Sequence, residues 1–239
     1  MRRCGGTVNG MRIVIFGATG PTGRHLIDQA IAAGHHVTAV GRRPDALPPR
    51  PRLTVVTGDV LDPGTAERAV AGADAVLSSL GTPLTRQLVS VYSHSAANIV
   101  AAMHRHGVKR LLAVSSSVMD PAWRPTGETF FNTVMDPLFN RRMGRTVHDD
   151  MRRMEALVRD SDLDWTLVRP SGLFDHPAVT RYTTETDVAD GLFTARPDLA
   201  ASMVAQLDDE RFVRRAMAVV TTEVRPSIIG LIWREAVRK

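Results

Sequence analysis

The chain has 239 residues, 44% hydrophobic and 23% charged, which suits one substantial globular core. No uninterrupted apolar run reaches the ~18 residues of a membrane span, and a single cysteine, Cys4, excludes an internal disulfide framework. The net charge is +5, but the 28 arginines and two lysines are scattered and form no like-charge block, so no nucleic-acid partner is expected.

Residues 1–10 are rich in glycine, lack the apolar core of a secretory signal and stand just before a second methionine, Met11. They are expected to be a disordered leader on a cytoplasmic protein without stable membrane insertion, whose one folded domain runs over 11–239. Arg12 to Phe16 is short, apolar and β-branched and ends in a glycine cluster, as a buried parallel strand does when it feeds a helix. Pro21 suits the first helical turn, Leu26, Ile27, Ala30 and Ile31 form one apolar face, and Gly34 closes that helix. Strands are then expected at His36 to Val40, Leu53 to Thr57 and Ala75 to Ser79, with a helix from Thr65 to Ala71 before the last of these.

A long helix from Arg86 to His106 stops at Gly107, and Arg110 to Val114 reads as the fifth strand. A helix from Asp149 to Arg159 leads to a strand at Trp165 to Arg169, and Ala216 to Val220 is a late strand. This alternation predicts an α/β fold, a Rossmann-type doubly wound parallel sheet with helices on both faces. Between the fifth strand and the Asp149 helix, residues 118–148 form a substrate-side insert with Trp123, Phe130, Phe131 and Phe139. It is either a lid over a planar substrate or a helical packing element. Residues 174–239 are read as a small C-terminal annex. Its apolar stretch Ser227 to Arg234 would pack on the domain or on a partner, giving a monomer or a homodimer.

Gly17-Ala-Thr-Gly20-Pro-Thr-Gly23 follows the first strand and opens the first helix, the context a dinucleotide fingerprint requires. Glycines there permit a tight turn and let main-chain amides approach a diphosphate at the positive end of the helix dipole. An NAD-preferring site would place Asp or Glu at the end of the second strand, whereas this chain has Gly41-Arg42-Arg43. Arg42 foremost, and Arg43 second, can pair with a 2′-phosphate, so the expected cofactor is NADP(H). Asp59 and Val60, after the third strand, border the adenine, although Asp59 could equally be a helix cap.

Gly17-Ala-Thr-Gly-Pro-Thr-Gly23, Leu80-Gly-Thr82, Asn98 to Met103, His106-Gly-Val108, Ser115-Ser116 and Leu163 to Pro170 together resemble the atypical short-chain dehydrogenase/reductases. The chain is most similar to the NAD(P)H-binding group that includes flavin/biliverdin-IXβ reductase, and more distantly to the NmrA-like proteins. The likeness runs from about Met11 to Leu207 and includes Arg196-Pro-Asp-Leu-Ala200. It implies that Gly17, Thr19, Gly20, Pro21, Thr22 and Gly23 form the diphosphate turn and that Arg42 meets the 2′-phosphate. It further implies that Leu80, Gly81 and Thr82 run along the cofactor and that Ser115 and Ser116 sit beside the nicotinamide, with Ser116 the candidate catalytic residue. Pro170, Ser171, Gly172 and Leu173 would flank the carboxamide. Asn98 matches a family position, but a buried amide there is more often structural.

The typical Tyr-x-x-x-Lys motif of the larger superfamily is missing. Tyr92 precedes Ala96 by four residues and Tyr182 precedes Thr186, while Lys109 and Lys239 lie elsewhere. Reduction of a simple ketone makes a localised alkoxide that needs an acid. Hydride added to a flavin, quinone or linear tetrapyrrole gives a delocalised anion that water protonates. The expected function is therefore an NADPH-dependent reductase of a conjugated small-molecule electron acceptor, of flavin or quinone class. A non-catalytic NADP(H) sensor is the alternative, and a nucleotide-sugar epimerase or dehydratase a weaker third reading. His104 and His106, two apart on a helix, cannot face one metal, and no metal is expected. His148 and His176 are acid candidates of lower rank, and Asp149 and Asp150 read as caps or solvated groups.

Overall fold

The apolar run after Met11 becomes β1 (Arg12–Phe16), whose last four residues are all buried. In this computed structural model, which describes residues 10–43, 46–83, 85, 87–126 and 144–226, β1 lies inside the main sheet. β2 (His36–Gly41) and β3 (Leu53–Thr57) pair outward on one side of it. β4 (Ala75–Ser78), β5 (Arg110–Val114) and β6 (Asp164–Pro170) pair outward on the other, all parallel. Successive strand residues face opposite sides, so Ile13 and Ile15 join one core layer and Val14 and Phe16 the other. α1 (Pro21–Ala32) and α5 (Arg196–Ala205) cover the first layer. α2 (Pro63–Val70), α3 (Val91–His106) and α4 (Arg145–Arg159) cover the second. The expected doubly wound sheet is thus the fold of the chain.

Helix starts differ from the sequence reading slightly at α2, which begins at Pro63 rather than Thr65, and more widely at α3 and α4. α3 begins at Val91 rather than Arg86, and α4 begins at Arg145 rather than Asp149. Ser90, at the start of α3, gives no side-chain cap; instead the buried Asp150 carboxylate of α4 accepts the Tyr92 amide at 2.8 Å and the Ser93 amide at 3.4 Å. Asp150 therefore caps a helix, but a neighbouring one. Asp149 sits a full turn inside α4 and pairs with Arg152 at 2.7 Å.

Beyond residue 174 the chain adds to the same sheet. β10 (Arg215–Thr221) lies parallel to β6, and β8 (Tyr182–Thr186) closes that edge antiparallel to β10. A small two-stranded sheet, β7 (Gly172–Phe174) with β9 (Phe193–Ala195), stands at the exit of β6. Asp198, fully buried in α5, fastens this region by accepting from the Thr180 amide at 2.6 Å, the Thr180 hydroxyl at 2.7 Å and the Thr221 hydroxyl. No helix among the described residues is long and apolar enough to cross a membrane. The leader through residue 9, the aromatics Phe130, Phe131 and Phe139, and the stretch Ser227 to Arg234 lie outside the described residues.

Candidate functional site

The crevice at the carboxyl edge of the sheet lies where the strand order reverses, between the ends of β1 and β4. Gly17 leaves β1 with φ of 76°, and a Cβ there would stand 2.6 Å from the Ser79 carbonyl oxygen, so the turn needs glycine twice over. A Cβ on Gly23 would collide with the Gly17 carbonyl, which makes Gly23 the contact that lets α1 sit against the loop. Gly20 has φ of −71°, which any residue adopts, and serves as the α1 N-cap without a capping side chain. Pro21 has no N–H and the first-turn amides of Thr22 and Gly23 have no carbonyl four residues back, so these two donors are left for an anion. Thr19 packs at the end of β2, where a Cβ on Gly41 would come within 2.9 Å of its methyl. This cradle fits a diphosphate.

At the ends of β2 and β3, Arg42 and Arg43 are exposed. Arg42 Nη1 lies 3.9 Å from an Asp59 carboxylate oxygen, with the arginine side chain 80% exposed, so the pair is loose and the guanidinium can turn to a phosphate. Asp59 accepts from its own Leu61 amide at 3.0 Å, and the α2 cap is Asp62, which accepts from Gly64 at 3.1 Å. Asp59 is therefore not the α2 cap, a task that Asp62 performs. Val60 is buried, and its carbonyl accepts from the Asn98 amide at 2.9 Å, which gives Asn98 its expected structural task.

On the other side of the crevice, Gly81 faces open space, since a Cβ there would meet no heavy atom within 4 Å. Leu80 packs against the core, and the Thr82 amide donates to the Tyr92 hydroxyl at 3.2 Å. Tyr92 is buried, and burial pushes its phenol above the ordinary value despite that donor. Its oxygen props a loop and is no poised acid. Three serines follow β5 with alternating direction: Ser115 and Ser117 are buried and Ser116 is half-buried between them. Ser115 donates to Glu155 at 2.7 Å and Ser117 to the Arg169 carbonyl at 3.0 Å. Ser116 accepts only a long bond from the Val118 amide, 3.4 Å, so it is the hydroxyl of the three with spare capacity. Pro170 and Ser171 are buried. Ser171 is fixed through its amide to Thr194 and its hydroxyl to Gly191, both at 3.0 Å, while Gly172 is exposed and Leu173 half-buried.

The sequence reading missed the group that sets these loops. Arg169, 4% exposed at the end of β6, donates to Glu155 at 3.0 and 2.8 Å and to Asp120 at 2.9 Å. Burial pushes the Glu155 carboxyl up, but hydrogen bonds from Arg169, its charge and the Ser115 hydroxyl outweigh that and hold it below the usual carboxylate range. One guanidinium thus ties together α4, β6 and the turn after β5. The visible signal was an arginine inside a buried apolar strand, which demands a partner. A second missed contact is Arg196, which donates to Asp175 at 2.7 Å and reaches the Thr22 hydroxyl at 3.5 Å.

Other titratable groups stand apart. Lys109 pairs with Asp162 at 2.6 Å at the amino end of β5, on the far side of the sheet from the glycine loop. His104 faces Asp162 and His106 faces Glu67, so the two point to different partners. His176 is half-buried and bonds the nearby Ala178 carbonyl, whereas His148 is buried and borders a cavity between the turn after β5 and α4. Among the described residues no cluster of three or more His, Cys, Asp and Glu side chains could hold a metal ion.

A family model described as NAD(P)H-binding matches residues 17–210. A 3-beta-hydroxysteroid dehydrogenase of Mycolicibacterium neoaurum is 29% identical over 117 residues, covering 44% of this chain and 32% of that relative's length. The chain therefore spans about a third of that protein. A short-chain dehydrogenase/reductase from Veillonella parvula, solved in complex with NADP, superposes with a TM-score of 0.75 at 22% identity, covering 91% of this chain and 99% of that one. ChuY, described as an anaerobillin reductase from Escherichia coli O157:H7, superposes with a TM-score of 0.69 at 19% identity over 90% of this chain and 100% of ChuY.

Proposed function

This chain belongs to the NAD(P)H-binding family, and from that premise we propose that it is an NADPH-dependent reductase of a conjugated small-molecule acceptor, of flavin or quinone class. The observation that carries the reading is the pairing of a diphosphate cradle with an exposed, loosely held arginine at the end of β2, where an NAD-selective site has a carboxylate. The Thr22 and Gly23 amides hold the diphosphate, and Arg42, only loosely held by Asp59, turns to meet the 2′-phosphate. When bound, the nicotinamide supplies a hydride, that is two electrons and one proton; the second proton that completes reduction comes from water. Ser116 hydrogen-bonds the nicotinamide or the acceptor, and Ser115 and Ser117 keep their hydroxyls turned to Glu155 and Arg169. The Tyr92 phenol is engaged by a loop amide and Lys109 is paired with Asp162 at the far edge of the sheet, so neither serves as the acid a localised alkoxide needs. A delocalised product anion needs none. ChuY, a reductase by its description, shares the fold.

The deciding experiment is steady-state oxidation of NADPH by the purified chain with a panel of flavins and quinones. Turnover of at least one acceptor is expected, with NADPH favoured over NADH. Tight NADPH binding without turnover of any panel member would turn the assignment to a non-catalytic sensor.

A further inference from the structure

A cavity of about 620 Å³ opens two residues past Ser116, between the turn that follows β5 and the face of α4. Val118, Met119 and the buried Trp123 give it an apolar wall, and Arg124, Arg145 and Arg152 stand on its rim. The carboxylates there do not balance these arginines. Asp120 is taken by the buried Arg169 at 2.9 Å, and that arginine is itself matched by Glu155. Asp149 is shared, 2.7 Å from Arg152 and 3.7 Å from Arg145. Arg124 donates to the Trp123 carbonyl at 2.7 Å and meets no carboxylate among the described residues. Among the described residues that line the cavity, three guanidinium groups face the one remaining carboxylate of Asp149, an excess of two positive charges.

We propose that this cavity is the acceptor site and that its arginine rim selects acceptors bearing an anionic group, a carboxylate or a phosphate, at the end remote from the ring that takes the hydride. The inference rests on the reductase reading above and adds the charge class of the substrate. The apolar wall beside Ser116 receives a planar ring, and the rim, a cavity's width away, meets a tail that water would otherwise solvate. Planar guanidinium groups suit such oxyanions because they offer paired N–H donors in a fixed fork.

Two matched pairs of probes test this: FMN against riboflavin, and 1,4-naphthoquinone-6-sulfonate, whose charge lies on the ring remote from the quinone, against 1,4-naphthoquinone. Each is titrated into NADP⁺-saturated protein at low salt, following flavin or tryptophan fluorescence, and then assayed for KM with NADPH. The anionic member of each pair should bind about tenfold more tightly, the worth of one charge-assisted contact. Arg124→Gln and Arg152→Gln should each erase most of that advantage. Arg181→Gln, which removes an exposed arginine on a distant loop, should preserve it. Equal affinities within each pair, or an advantage unchanged in the rim variants, overturn the anion-selecting rim while leaving the reductase assignment standing. Absence of binding and turnover with all four probes, in protein that still takes up NADP⁺, removes both.

Discussion

At the scale of single residues, side-chain direction decides function here. The three serines after β5 have the same chemistry, yet Ser115 is spent on the buried Glu155 carboxylate and Ser117 on the Arg169 main-chain carbonyl, while half-buried Ser116 accepts only a long bond from the Val118 amide. Arg42 and Arg169 form a similar contrast. The first is loosely held near Asp59 and available to a ligand, while the second is committed on all sides to Glu155 and Asp120. Replacing Arg42 by alanine should therefore weaken NADPH about 10- to 100-fold while NADH changes less than about twofold, as read by calorimetry. Equal loss for both coenzymes would remove the 2′-phosphate assignment.

At the scale of elements, the first strand, turn and helix form one unit whose geometry depends on two absent methyl groups. Gly17→Ala would force a positive φ on a residue with a Cβ and press that carbon toward the Ser79 carbonyl on β4. The expected result is a loss of about 2 kcal/mol in urea denaturation together with weaker binding of NADPH and NADH to the same degree. That pattern differs from Arg42→Ala, which leaves the cradle intact. Helix limits follow the same principle of distant control. The start of α3 is set by Asp150, 58 residues further along the chain, so no local signal near Arg86 could mark it. Where signals were local, as with Pro21 opening α1 or Gly107 closing α3 at φ of 67°, the sequence reading and the structure agree.

At the scale of the whole molecule, the buried Glu155–Arg169 pair joins the helical layer to the sheet beneath the expected nicotinamide site. Since Glu155 titrates lower in the fold than in the unfolded chain, its stabilisation is complete above about pH 4.5 and is lost as pH falls through the lower folded value. Glu155→Gln should cost about 3 kcal/mol at neutral pH by leaving Arg169 without its bidentate partner. It should also flatten the decline of stability below about pH 4.5. A denaturation series from pH 7 to about pH 3 tests both, and an unchanged acid slope would show that the pair does not titrate with folding.

Strand period, the glycine spacing and the arginines after the second strand are properties of contiguous residues, so the nucleotide-binding fold and the cradle were legible in the chain itself. Strands β7, β8 and β9 were not, because they are three to five residues long, and β8 is rich in threonine and takes its place only through pairing with β10. The Asp150 cap, the Glu155–Arg169–Asp120 network and the arginine-rimmed cavity likewise unite residues from separate elements. Burial raises the electrostatic stakes of such groupings, and only the assembled fold brings their members within bonding distance.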